Sequence, residues 1–156
     1  MTREKGKRID FCPENYVVFD LETTGLVPGT DQIIEISGIK VLGDNVSETF
    51  STLVNPGMHI PYAATRVNGI TDKMVRDAPS IQEALADFLK FTGDLVLVGH
   101  NIHTFDTNFV YDSALLDLGR KFQNDYVDTL YLSRNCLPQL HQHKLTDIAA
   151  YFDIDT

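Results

Sequence analysis

The amino-acid sequence predicts an α/β domain built on a mixed sheet. Short runs of β-forming residues recur at 16–19, 32–42, 47–54, 95–98 and 126–127. The first three follow one another with no helix between them, and the last two are each reached through a helical segment. That order fits an antiparallel hairpin joined to parallel strands by helical crossovers. Apolar residues make up 43% of the 156, enough for the core of one domain of ordinary size.

Tyr16-Val17-Val18-Phe19 reads as a central strand, followed by Asp20-Leu21-Glu22 and then a loop at Thr23-Thr24-Gly25. Gln32 to Leu42 reads as a second strand, and the shift of its alternation near Gly38 predicts a bulge. Gly43-Asp44-Asn45 is a turn, and Ser47 to Val54 completes the hairpin. Ser80-Ile81-Gln82-Glu83 is a capping box opening an amphipathic helix with Ile81, Ala84, Leu85, Phe88 and Leu89 inward and Gly93 at its end. Leu95-Val96-Leu97-Val98 is apolar throughout, as a buried parallel strand is. A helix opening at Thr104 or Thr107 turns Phe109, Val110, Ala114 and Leu115 inward. Tyr126-Val127 is a short strand, and Thr129 to Cys136 and Leu145 to Phe152 read as helices.

Residues 1–13 read as a solvated N-terminal tail and 14–156 as the domain. Arg3, Lys5, Lys7 and Arg8 have no apolar stretch behind them, so the tail is no secretory signal. No apolar run approaches the ~20 residues of a membrane-spanning helix, and no membrane partner is expected. Cys12 and Cys136 stand far apart in no metal-ligand spacing, as free thiols in a reducing cytoplasm do. A net charge of −9 argues against holding nucleic acid by global charge. It does not argue against meeting nucleic acid through bound cations, because a divalent ion between carboxylate and phosphate reverses their repulsion.

Side chains alternate along a strand, so Asp20 and Glu22 point to one side and Leu21 to the other. Two carboxylates together at a strand end suit a hard, oxygen-seeking cation, although D-x-E is also a common surface pattern. Asp106 follows the second apolar strand and opens a helix, at the strand end where α/β sheets place their ligands. Taken alone it would be a helix-capping or first-turn residue.

Phe19 to Gly25 matches the pattern F-D-x-E-T-T-G, and Asn101, Phe105 and Asp106 match an Asn followed closely by Phe-Asp. In that order they resemble the motifs of the DEDDh 3′–5′ exonuclease family, which includes the proofreading epsilon subunits and PolC-type exonuclease domains of DNA polymerase III. Val67-Asn68-Gly69-Ile70-Thr71 resembles the family's H-G-I-T element with Asn68 in place of His. The resemblance runs from about Tyr16 to Thr156. It implies a ribonuclease-H-like five-stranded mixed sheet with flanking helices. It also implies hydrolysis of a terminal phosphodiester with two Mg²⁺ or Mn²⁺ ions ~3.5–4 Å apart. By the same resemblance Asp20, Glu22 and Asp106 hold metal, while Thr23, Asn68, Ile70, Asn101 and Phe105 meet the terminal nucleotide. The implied partners are a single-stranded DNA 3′ end and a DNA polymerase subunit.

The family's third motif, H-x4-D, supplies a general base and another metal ligand. Its spacing is absent here: three residues separate His143 from Asp147 and five separate His141 from Asp147. The expectation is that this His and Asp lie beyond Thr156. His103 reads as a solvated loop residue, and the resemblance makes Asp128 structural. An exonuclease acting on RNA ends and an inactive module that binds nucleic acid or a partner stay open beside the DNA enzyme.

Overall fold

A computed structural model describes residues 2–156. Strands β1 (Asn15–Thr23), β2 (Ile33–Leu42) and β3 (Asn45–Leu53) form an antiparallel meander. After helices α1 (Tyr62–Asn68), α2 (Asp72–Val75) and α3 (Ile81–Thr92) comes β4 (Val96–Gly99), parallel to β1. Helix α4 (Asp106–Leu118) leads to β5 (Tyr126–Asp128), parallel to β4, and helices α5 (Thr129–Cys136) and α6 (Leu145–Tyr151) follow. The sheet order is β3-β2-β1-β4-β5. This is the mixed five-stranded α/β architecture expected from the sequence.

The core explains the order of the elements. Val17, Phe19 and Leu21 alternate onto one face of β1 and join Leu85 and Phe88 of α3 and Phe109 and Val110 of α4 in a single buried cluster. The Phe88 ring lies 5.7 Å from both Phe19 and Phe50, tying α3 to β1 and β3. The Ser80 capping box forms as expected, its hydroxyl accepting from the Glu83 amide and the Glu83 carboxylate accepting from the Ser80 amide. Helices α1 and α2 were not foreseen. They are short, α1 buries none of its residues, and the segment is anchored by a satellite cluster of Ile34, Ile60, Ile70 and Val75.

Two expectations are corrected. Gly38 is not a bulge: it pairs regularly with Phe19 and Phe50, and the register shifts fall at Glu22/Thr23 and Lys40/Val41. The broken alternation has a packing cause. Gly38 takes an inward position where a Cβ would stand 3.1 Å from Phe91, leaving Ile39 on the opposite, exposed face.

The N-terminal segment is not solvated either. The Tyr126 amide donates to the Lys7 carbonyl at 3.0 Å and the Ile9 amide donates to the Tyr126 carbonyl at 2.9 Å, so the segment covers the free edge of β5. Arg3 forks onto Asp112 of α4 at 2.7 and 2.8 Å. Lys5 donates to the His103 carbonyl, to Thr107 Oγ1 at 3.1 Å and to Asn108 Oδ1 at 2.8 Å. Four cations in ten residues read as a solvated arm because the acceptors of Arg3 and Lys5 lie about a hundred residues away in sequence.

Gly6 makes this strap possible, since a Cβ there would collide with the Asn124 carbonyl. Gly6→Ala should therefore lift the strap. The expected result is a melting temperature lowered by roughly 2–8 °C, as for a loss of ~1–2 kcal/mol in a domain of this size, with faster hydrogen exchange at the Tyr126 amide. Unchanged exchange there would show that the strap tolerates the extra carbon.

Candidate active site

Strand β1 runs on to Thr23, so Asp20 and Glu22 belong to the strand itself rather than to a loop end. Alternation places them with Val18 on the face opposite Phe19 and Leu21. Asp106 reaches them from the other side of the fold. It is the first residue of α4, is 4% exposed, and its Oδ1 accepts from the Leu21 amide at 3.2 Å.

The turn that delivers Asp106 is held by a third carboxylate. Asp128, also 4% exposed, accepts from the amides of Asn101 (3.0 Å), His103 (2.9 Å) and Leu130 (2.9 Å). This fastens the 99–105 turn to the start of α5 and keeps Asn101 in the left-handed region at φ 61°. Asn adopts that conformation more readily than most residues. These bonds account for Asp128 as a structural carboxylate.

The electrostatics are one-sided. Burial, with the charge of Asp20 next in importance, raises Asp106 to a pKa of about 7 against the opposing bonds from its own amide and that of Leu21. Burial also raises Glu22, with Asp20 and Glu35 adding to it and a bond from Asn68 opposing. Asp20 is open to solvent at its tip, yet enough protein surrounds its carboxylate to push its pKa up too. None of the three takes part in an ion pair among the described residues.

An all-oxygen donor set whose negative charge has no basic partner fits a hard divalent cation in kind. The arrangement is looser than the sequence led us to expect. Asp20 couples to Glu22 and to Asp106, but among the described residues no three His, Cys, Asp or Glu side chains stand together as a ready-made metal cage.

Beside Glu22 lies a cleft of about 420 Å³, mostly apolar, with Thr23, Leu26, Val67, Asn68 and Phe105 among its walls. Thr23 and Thr24 shape its rim, Thr23 through its hydroxyl's bond to the Gly25 carbonyl (2.6 Å) and Thr24 through Asp31 and Gln32. Asn68 reaches the Thr23 carbonyl at 3.4 Å and accepts from the Ile70 amide at 3.0 Å. Phe105 stacks obliquely on Phe109 at 4.9 Å. Thr23, Asn68 and Phe105 thus share one cleft.

Two expected contacts do not. Ile70 is 3% exposed, with its side chain in the satellite core, so it is corrected to a packing residue. Asn101 is exposed but lines a different groove. Leu26 and Val67, 80% and 87% exposed, are apolar walls that the sequence reading missed. Leu26 directly follows Thr-Thr-Gly and lies outside every core periodicity, which was the available signal.

Four of the five histidines are occupied elsewhere, and the fifth, His141, is exposed and lines the same groove as Asn101. His103 is not a solvated loop residue: its ring stacks on Tyr126 at 5.7 Å and bonds the phenol hydroxyl. His100 uses Nδ1 on Thr129 and Nε2 on the His143 carbonyl, both at 2.9 Å. His143 pairs with Ser133 and His59 with Asp72.

The family model RNase_T, described as Exonuclease, matches residues 17–156. The chain belongs to the exonuclease family. It is similar to the PolC-type DNA polymerase III of Clostridium perfringens, 40% identical over 141 residues that cover 90% of this chain and 10% of that protein. It is also similar to the DNA polymerase III subunit epsilon of Aquifex aeolicus, 38% identical over 90% of this chain and 69% of that protein. The chain spans only about a tenth of the length of the PolC-type relatives. Among solved structures it resembles exonuclease I in its apo form, with a TM-score of 0.79 at 18% identity over 91% of this chain and 38% of the other. It also resembles exonuclease X in complex with 5′-overhanging duplex DNA, with a TM-score of 0.72 at 23% identity over 90% and 75% of the two chains. These two likenesses bear on the fold, which is that of exonucleases. No described helix is long and apolar enough to cross a membrane.

The pKa of Asp106 has a consequence for stability in this exonuclease-family domain. A carboxyl raised in the folded state keeps its proton there between pH ~4 and ~7 while the unfolded chain has lost it. Without divalent metal, the Asp106 contribution should therefore fall as pH rises through that window, by on the order of a few kcal/mol, and level off above pH ~7. Asp106→Asn keeps an acceptor for the Leu21 amide and removes the titration. Its melting-temperature advantage over the parent chain, measured in EDTA, should grow from pH 4.5 to 7.5; a constant difference would remove the buried carboxyl as the cause.

Proposed function

We propose that this exonuclease-family chain hydrolyses the terminal phosphodiester of single-stranded DNA in the 3′→5′ direction, releasing nucleoside monophosphates with the help of Mg²⁺ or Mn²⁺. What supports the reading is the electrostatic coupling of Asp20 to Glu22 on β1 and to Asp106 at the start of α4, with no basic partner, beside an apolar cleft of nucleoside size. Asp20, Glu22 and Asp106 would hold the metal. When bound, two such ions lower the pKa of an attacking water and stabilise a leaving 3′-oxygen. The chain's own contribution is positional. The Glu22–Phe105 cleft would take the terminal nucleoside, with Leu26, Val67 and Phe105 packing on its base and excluding water, and Asn68 and the Thr23 rim fixing its register.

The 40% identity to a PolC-type enzyme and the 38% identity to an epsilon subunit support a proofreading role beside or within a DNA polymerase. A general base free to take the water's proton is not found among the described histidines next to Asp20 and Asp106.

Calorimetric titration should show Mn²⁺ binding to the parent chain and none to Asp20→Asn. A 5′-labelled oligothymidylate with Mn²⁺ should shorten stepwise from its 3′ end. Asp20→Asn should cost at least ~10²-fold in rate, the scale of losing a charge-stabilising group. Mn²⁺ binding that survives Asp20→Asn would remove these carboxylates as the metal site.

A further inference from the structure

The chain carries a net charge of −9, yet one groove beside the carboxylates is edged with cations. It lies between α5 and the segment joining α5 to α6, has a volume of about 670 Å³, and is lined by Arg134, His141 and Lys144 with His100, Asn101 and Leu145 at its inner end. Arg134 and Lys144 are exposed and take part in no ion pair among the described residues. One acidic group stands close by: the Asp147 carboxylate accepts from the Lys144 amide at 3.1 Å.

The wall is fixed rather than loose. His100 Nε2 bonds the His143 carbonyl at 2.9 Å, and His143 Nδ1 bonds Ser133 at 3.1 Å. These bonds tie the connecting segment to the turn after β4 and to α5. The groove also leads to the carboxylates, because His100 and Leu145 line a second groove that contains Asp20. A further cation continues the edge outward. The Arg8 guanidinium stacks on Tyr131 at 3.5 Å, and Tyr131 shares a helix face with Arg134, three residues on.

We propose that this groove carries the sugar-phosphate backbone of single-stranded DNA upstream of the terminal nucleotide, with Arg134 and Lys144 on its phosphates. The proposal rests on the functional reading above. With the terminal nucleoside in the Glu22–Phe105 cleft, a strand that continues past Asp20 meets His100 and then this groove, where Arg134 and Lys144 stand ready for its phosphates. The same geometry resolves the conflict between an acidic chain and an anionic ligand, since metal meets the scissile phosphate while this groove meets its upstream neighbours.

The test is binding by fluorescence anisotropy and calorimetry with Mn²⁺, using thymidine 5′-monophosphate and fluorescein-labelled dT2, dT4 and dT8 with phosphorothioate linkages to prevent cleavage. Affinity should rise with length in the parent chain. The double variant Arg134→Ala with Lys144→Ala should lose roughly tenfold for dT8, and the slope of log affinity against log salt should become shallower by roughly 1.4, for two phosphate contacts on a single strand. Lys90→Ala with Arg120→Ala removes the same charge elsewhere and should leave dT8 binding alone. Arg134→Lys with Lys144→Arg should restore most of the loss. If the monophosphate binds but the first variant keeps its dT8 affinity and salt slope, the groove is not the track. If the monophosphate does not bind the parent chain, the reading of the site itself fails, and this proposal with it. An rU8 arm decides the sugar: equal losses for rU8 and dT8 support phosphate contact, and a loss confined to rU8 overturns the assignment to DNA.

Discussion

The Asp128 carboxylate, accepting three backbone amides inside the protein, is the interaction on which the site depends. A buried carboxylate is costly unless its oxygens are satisfied, and here three amides from two segments satisfy it. The geometry works in both directions. The amides hold the charge, and the charge holds a turn that has no regular secondary structure of its own. That turn passes through left-handed Asn101 and ends on Asp106, whose carboxylate sits under the Leu21 amide. Without the Asp128 clasp, the register between β1 and the start of α4 would rest on the Asp106 bond and apolar packing, which are less directional.

The second feature of the site is its cost. Three carboxyls raised above their ordinary pKa, with no basic partner, mean that the protein spends stability to keep negative charge in one place. A core built for stability alone would carry an amide or an apolar group at Asp106. Retaining an acid there is understandable if a cation completes the site, since binding to the folded state returns the stability that repulsion removes.

Much of this was legible in the sequence because it is local. The capping box at Ser80, the apolar runs of β1 and β4 and the D-x-E alternation are each written within a few residues. What was illegible depends on distant partners. Gly38 reads as a break in a strand and is in fact the space for Phe91. Ile70 lies within a motif-like segment but points into a satellite core that forms only when Ile34, Ile60 and Val75 meet. His103 reads as a loop residue because nothing nearby announces the ring and hydroxyl of Tyr126. In the candidate site the carboxylates stood out by their resemblance to family motifs rather than by spacing alone, whereas the apolar walls Leu26 and Val67 fall outside both motif and core periodicity.

The N-terminal strap shows how a segment outside the family match can still bear on the family's chemistry. The match begins at residue 17, and residues 2–9 lie before it. Even so, Lys5 bonds the His103 carbonyl and the first turn of α4, on the outer side of the turn that Asp128 clasps from within. Burial lowers the pKa of Lys5, yet its three neutral oxygen acceptors suit an ammonium and not an amine, which has fewer protons to give. The strap also covers the edge of β5 and sets Arg8 on Tyr131, so one short segment closes the sheet, braces the turn before Asp106 and extends the cationic edge of the groove. Asp20 and Asp106 repel each other, and the turn that carries Asp106 is restrained from both sides.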